Sequence, residues 1–216
     1  MNLFTNLSVA IICASFAITT SPAWAEVQTF GKSVKVVQHS NAKLQRGQKG
    51  LLRWLKSKSH KQYFGAMYFN PTEDEGYAVT QFHSLENAKA AAKAGCRIAS
   101  KNNGEQCTLY ATVVPKSFSP QTTKASGLGQ RAYSFFVGKY RNKQKPGKYG
   151  AFAISGMAQF GYSYANDSKE SATDTALSYC QASVASIMTT LGKEGRDLAR
   201  KVGADKCTIV HIVHPQ

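Results

Sequence analysis

The chain has 216 residues, and its 27 Lys and Arg outnumber its 12 Asp and Glu to give a formal net charge of +15 at pH 7. That length holds one ordinary domain or two small ones, and the charge points to anionic partners. Beyond the N-terminal apolar run, nothing approaches membrane-spanning length, so a transmembrane segment in the rest of the chain is excluded and solubility expected.

The N-terminus reads as a signal peptide over residues 1–25. Residues 7–18 are apolar, and Ser21, Pro22 and the run Ala23-Trp24-Ala25 follow in the small-x-small pattern of a cleavage site. The expected cut lies before Glu26, giving a periplasmic or secreted protein. The first residues carry no Lys or Arg. Cys13 follows Ile12 rather than a small residue, which argues against a lipid anchor. Cleavage leaves four cysteines, Cys96, Cys107, Cys180 and Cys207, and an even set in an exported protein reads as disulfides.

Residues 26–62 form a basic N-terminal segment, with no acid between Glu26 and Glu73. A first module follows at 63–115. Residues 63–69 and 76–82 read as short strands around an Asn-Pro-rich turn. Ser84 is a good N-cap for a helix whose apolar face holds Leu85, Ala88, Ala92, Cys96 and Ala99. A β-rich run begins at Cys107. Residues 116–148 form a second basic segment, again without acid, in which Gly127–Ala132 (GLGQRA) reads as a linker. A second module covers 149–216, with strands at 149–155 and 161–165. Its helix is capped by Asp167 or Ser168 and carries Ala172, Ala176, Cys180, Val184, Ile187 and Leu191 on one face. Asp167 with Glu170 fits a capping box.

The two modules share a register. A shift of 85 places Gln45-Arg46 on Gln130-Arg131, Gly65-Ala66 on Gly150-Ala151 and Gly76-Tyr77 on Gly161-Tyr162. A shift of 84 carries Ser84 onto Ser168, Glu86 onto Glu170, Ala88 onto Ala172 and Cys96 onto Cys180. CTLYATVVP from Cys107 then matches CTIVHIVHP from Cys207. An ordered series ending in matched cysteines reads as tandem duplication. The expected fold is α+β: two tandem small β-β-α-β modules, each a short antiparallel sheet packed on one helix and stapled by one disulfide. The repeat pairs Cys96 with Cys107 and Cys180 with Cys207, because each pair links a helix face to the following strand. Convergence of four thiols on a metal does not suit these spacings.

The succession YGAFAIS, GYSYAN, an Ala-rich helix ending in Cys180, and Cys207 opening a β run resembles the domain of unknown function 4189, a family of small exported bacterial domains. The first copy departs from it, with GYAV in place of GYSY and a longer hairpin loop. The resemblance implies export and intradomain disulfides and brings no catalytic residues. It leaves both basic segments outside.

Those segments interleave cations with aromatics, in LLRWLKSK around Trp54 and in AYSFFVGKYRNKQK around Phe135 and Phe136. Cations neutralise phosphates or carboxylates while rings stack or insert, so the pattern suits polyanions. The candidate binding residues are Arg46, Arg53, Trp54, Lys56, Lys58, Lys61, Arg131, Lys139, Arg141, Lys143, Lys145 and Lys148. The expected function is non-enzymatic binding of an anionic envelope polymer or lipid surface, with extracellular nucleic acid as a further polyanion. Protein-partner binding, as a secreted inhibitor or effector, is the alternative, ahead of an uncharacterised hydrolase. No cofactor or metal is expected. His211 and His214 are three apart on an expected strand and face opposite ways. His39, His60 and His83 have no Cys or carboxylate at ligand spacing. Glu73-Asp74-Glu75 reads as a solvated turn. No GxSxG, HExxH or P-loop pattern occurs.

Overall fold

The computed structural model describes residues 27–102, 104–119 and 127–214. The expected signal segment 1–25 lies outside them, as do parts of the second basic segment. The fold is α+β, with two antiparallel sheets, helices and two disulfides. In chain order the elements are β1 (Val34–Gln38), α1 (Arg46–Lys56), β2 (Gly65–Phe69), β3 (Gly76–Val79), α2 (Leu85–Ala99), β4 (Thr108–Pro115) and α3 (Gln130–Phe135). They continue with β5 (Tyr149–Ser155), β6 (Phe160–Asn166), α4 (Lys169–Thr190), α5 (Lys193–Lys201) and β7 (Cys207–Val213). No helix among the described residues is long and apolar enough to cross a membrane.

The first sheet has the order β1-β4-β2-β3 and the second β6-β5-β7. Short strands rich in Val, Tyr, Phe and Ala alternate their side chains between two helical layers. Ala66 faces α2 with Ala88 and Ala92, and Met67 faces α1 with Leu55. Ala151 faces α4 with Ala172, Ala176 and Cys180, and Phe152 faces α3 with Ala132. Each sheet is therefore covered on both faces, where the sequence suggested one helix per sheet. The difference comes from the basic segments: their apolar residues fold back as α1 and α3. The run expected to be a linker, GLGQRA, ends in the first turn of α3. A π-helical turn (Phe136–Tyr140) and a 3-10 turn (Arg141–Lys143) extend it.

Ser84 and Ser168 cap α2 and α4, each hydroxyl accepting an N–H three residues on (3.0 and 3.1 Å). The capping-box expectation for Asp167 is not met, because its carboxylate pairs with Lys148 instead. Strand β3 ends at Val79, earlier than the pattern suggested; Phe82 turns into the core, its N–H and carbonyl bonded to Phe64. The disulfides are Cys96–Cys107 and Cys180–Cys207, as the repeat predicts. The halves join through one apolar cluster, in which Phe64 and Phe82 from the first meet Met157, Val184, Ala199 and Ala204 from the second.

Candidate functional site

Helix α1 exists because Leu51, Leu52 and Leu55 recur on one face and bury against the first sheet. Its N-terminus is held from a distance. The Asp74 carboxylate accepts the Gly47 N–H (2.9 Å) and the Gln48 N–H (3.2 Å), where a negative group satisfies orphan donors. Gln48 is buried, and its side-chain amide donates to the carbonyls of Asn70 and Glu73 at 2.8 and 2.7 Å. Glu73 accepts the N–H groups of Lys101 and Asn102 at 2.9 and 3.0 Å. Two of the three acids in this exposed turn, Glu73 and Asp74, thus also cap backbone N–H groups. Signals for this were the Asp in a turn and a Gln amid apolar positions.

Burying the leucines turns the candidate cations outward. Arg46, Arg53 and Lys56 on α1, and Lys58 and Lys61 in the turn after it, are all exposed. Trp54 is 37% exposed, and its ring stacks on His60 with centroids 4.4 Å apart. It lies on the surface, outside the core clusters.

The cations around α3 sit on rings. Arg131 lies 5.9 Å from the Phe160 centroid, Lys139 5.0 Å from Phe135, Arg141 4.7 Å from Phe136 and Lys143 5.1 Å from Tyr164. Lys145 is exposed and Lys148 half-buried in its pairing with Asp167. That partner, through its hydrogen bond and charge, holds the Asp167 carboxyl below the usual carboxylate range. Phe136 and Tyr140 are fully buried and Phe135 half-buried, so these rings belong to the core while their cations ride above it. Beneath them the Tyr140 hydroxyl meets His211 Nδ1 at 2.9 Å. Burial, then Arg141, keeps His211 below the ordinary imidazole value, and burial raises Tyr140.

A groove of about 800 Å³ runs between β6 and α4. Gly161 and Ser163 contribute to it from the strand, and Thr175, Ser183 and Ser186 from the helix. Tyr179 (60% exposed) rises from the helix wall, and Tyr164 (39% exposed), which points with Phe160 and Tyr162 to the α3 side of the sheet, lines the rim at the edge strand. The sequence pattern did not single out either tyrosine. The groove is open because of a slip in the expected register. Pairing sets Ala66 opposite Val79 and Ala151 opposite Ser163, so the place of Tyr77 in the first sheet is taken by Gly161 in the second. The match of Gly76-Tyr77 with Gly161-Tyr162 is thus one residue out, and a one-residue slip exchanges faces.

His83 is the buried polar group at the seam between halves. Its Nδ1 accepts the Gly129 N–H at 2.9 Å, so Nε2 carries the proton and donates to the Gln159 carbonyl at 3.1 Å. Burial pushes its pKa down to about 4, against the smaller opposing pull of Gln159. His39 Nε2 meets Thr112 Oγ1 at 2.9 Å, and burial, then Lys89, lowers it. The described residues contain no group of three or more His, Cys, Asp or Glu able to hold a metal ion. No protein-family model, curated protein or solved structure matches the chain.

Proposed function

We propose that this chain is an exported, non-enzymatic binding protein built from two copies of one unit, and that its basic segments engage an anionic envelope or extracellular polymer. The duplication is supported by the hydrogen-bond ladders. Gly65, Ala66, Met67 and Tyr68 pair with Val113, Thr112, Ala111 and Leu109; Gly150, Ala151, Phe152 and Ala153 pair with Val213, Ile212, His211 and Ile209. Each ladder skips one residue at the same step, Tyr110 in one and Val210 in the other. The unit then includes the covering helix and reads α-β-β-α-β, with β1 added to the first copy. Export is supported by the N-terminal pattern and by the pairing of all four cysteines that cleavage would leave. Relationship to the exported domain family, in two tandem copies, rests on motifs that match best in the second copy.

One observation carries the binding reading. The helices that cover the sheets spend their apolar residues on the core, and among the described residues Lys148 alone of the candidate cations is ion-paired with a carboxylate. Positive groups left facing solvent attract polyanions by releasing their counterions. Changing Arg53, Lys56, Lys58 and Lys61 together to Gln tests it. Binding to anionic vesicles and to an acidic polysaccharide should weaken, and the salt dependence should flatten. Each surface change should cost about 0.5 kcal/mol of stability or less. Unchanged binding and salt slope would remove this patch as the site.

A further inference from the structure

We propose that the groove between β6 and α4 binds an acidic oligosaccharide, an inference that rests on the anionic-polymer reading and gives it a ring-recognising element. The groove volume, about 800 Å³, lies within the ordinary range for ligand sites. Tyr179 offers an exposed aromatic face from the helix wall, and Tyr164, on the α3 side of the edge strand β6, lines the groove's far rim. Such faces stack on the C–H faces of sugar rings, and their hydroxyls reach polar partners. Thr175, Ser183 and Ser186 supply further hydroxyls for a hydroxyl-rich ligand, and no residue lining the groove is charged.

Charge stands across the edge strand from it, on the α3 side. The Lys143 ammonium lies 3.3 Å from the Tyr164 hydroxyl, and Arg131 lies over Phe160. Phe160 and Tyr164 are four residues apart on one face of β6, so about 13 Å of strand separates the two cation positions. An uncharged groove with two cations spaced along the other side of its edge strand complements a sugar chain bearing spaced carboxylates or phosphates. A single-stranded nucleic acid carries a charge on every nucleotide, and such ligands are tracked by a continuously positive groove. The first half offers no counterpart, because the Tyr77 ring lies over Gly95 where the groove would open.

Calorimetric titration of the full chain with a galacturonate hexamer, its methyl-esterified neutral form and oligo-dT tests the assignment. Tyr164→Ala and Tyr179→Ala should each weaken the acidic hexamer at least tenfold while circular dichroism stays unchanged. The neutral hexamer should bind more weakly than the acidic one. The four-Gln variant of α1, which weakens anionic polymers generally, should leave unchanged the further loss that each tyrosine substitution brings, since these groups lie on the other half. Hexamer binding that survives both tyrosine changes would sink the groove and leave the polymer reading standing. Failure of every acidic polymer to bind would sink both. Equal loss of oligo-dT in the tyrosine variants would reassign the groove to nucleic acid and overturn the sugar proposal.

Discussion

In the first half of the molecule a tyrosine on the strand, Tyr77, lies over a glycine on the helix, Gly95; in the second the strand has the glycine, Gly161, and the helix has the tyrosine, Tyr179. The cysteines that follow on the two helices, Cys96 and Cys180, hold equivalent places, so Gly95 and Tyr179 do too. Large and small residues have changed sides of one contact. With the bulk on the strand, the ring fills the gap between β3 and α2. With the bulk on the helix, α4 closes directly onto Gly161, and Tyr179 is turned to solvent beside an open groove. Interiors are close-packed, so one contact admits either arrangement but not both large residues at once.

That exchange makes its own test. A Cβ at Gly161 would stand 2.3 Å from the Ala176 carbonyl oxygen and 2.3 Å from the Cys180 nitrogen, both backbone atoms. Gly161→Tyr, which installs the first half's residue, should therefore cost about 5 kcal/mol or more in urea denaturation. Gly95→Ala first meets the Tyr77 ring, a side chain that is 42% exposed rather than fixed backbone. Its helix-propensity gain of about 1 kcal/mol offsets much of the ring's displacement, leaving a net change within about 1 kcal/mol. Similar losses at the two positions would break the comparison.

The same contact explains what could be read from the sequence. Helices α2 and α4 were legible because apolar residues recur every three or four positions behind a serine cap. Their strands were legible from short aromatic runs. The Gly-Tyr match was misleading because identical letters do not fix which face a side chain takes; pairing with the neighbouring strand does. Helix α3 was hidden by its form: six α-helical residues run into a π-helical turn containing Gly138, so no 3.6-residue period persists. The candidate cations were legible as charge runs, and their outward positions follow from the leucines and aromatics that anchor them. The groove was not, because its opening depends on a side chain that Gly161 lacks.

The disulfides sharpen the comparison at a smaller scale. Cys96–Cys107 closes a sequence separation of 11 and Cys180–Cys207 one of 27. On the loop-closure account, the shorter bridge contributes about 3 kcal/mol and the longer about 4 kcal/mol. The paired changes Cys96→Ala with Cys107→Ala, and Cys180→Ala with Cys207→Ala, should fall in that order in denaturant unfolding. The longer insertion in the second half, which carries α5, is the reason for the difference. A larger loss at the first bridge would show that the halves depend on their staples for reasons other than loop length.

The residue before each helix cap gives the last contrast. His83 precedes Ser84 and is buried at the seam; Asp167 precedes Ser168 and is exposed beside Lys148. Both groups have lowered pKa values, but from opposite causes. Burial disfavours the charged His83, whereas the lysine favours the charged Asp167. For His83 the unfolded state takes up a proton near the ordinary 6.5 and the folded state only near 4. Its contribution is therefore fully present above pH 6.5 and is lost as pH falls toward 4, by at most about 3 kcal/mol. Asp167 contributes above its ordinary carboxylate value and loses that contribution only at more acid pH, so the two windows separate. Urea denaturation at pH 7, 5.5 and 4 should show a steep fall in the native protein. His83→Gln should be less stable at pH 7, because the ring's bonds to Gly129 and Gln159 are lost, and should flatten the fall. The remaining slope belongs to His39 and His211, which burial also lowers. Asp167→Asn should leave the interval from pH 7 to 4 nearly unchanged. An equal slope in His83→Gln and the native protein would mean that the seam does not exclude water from this imidazole, and that acid loosens the halves through another group.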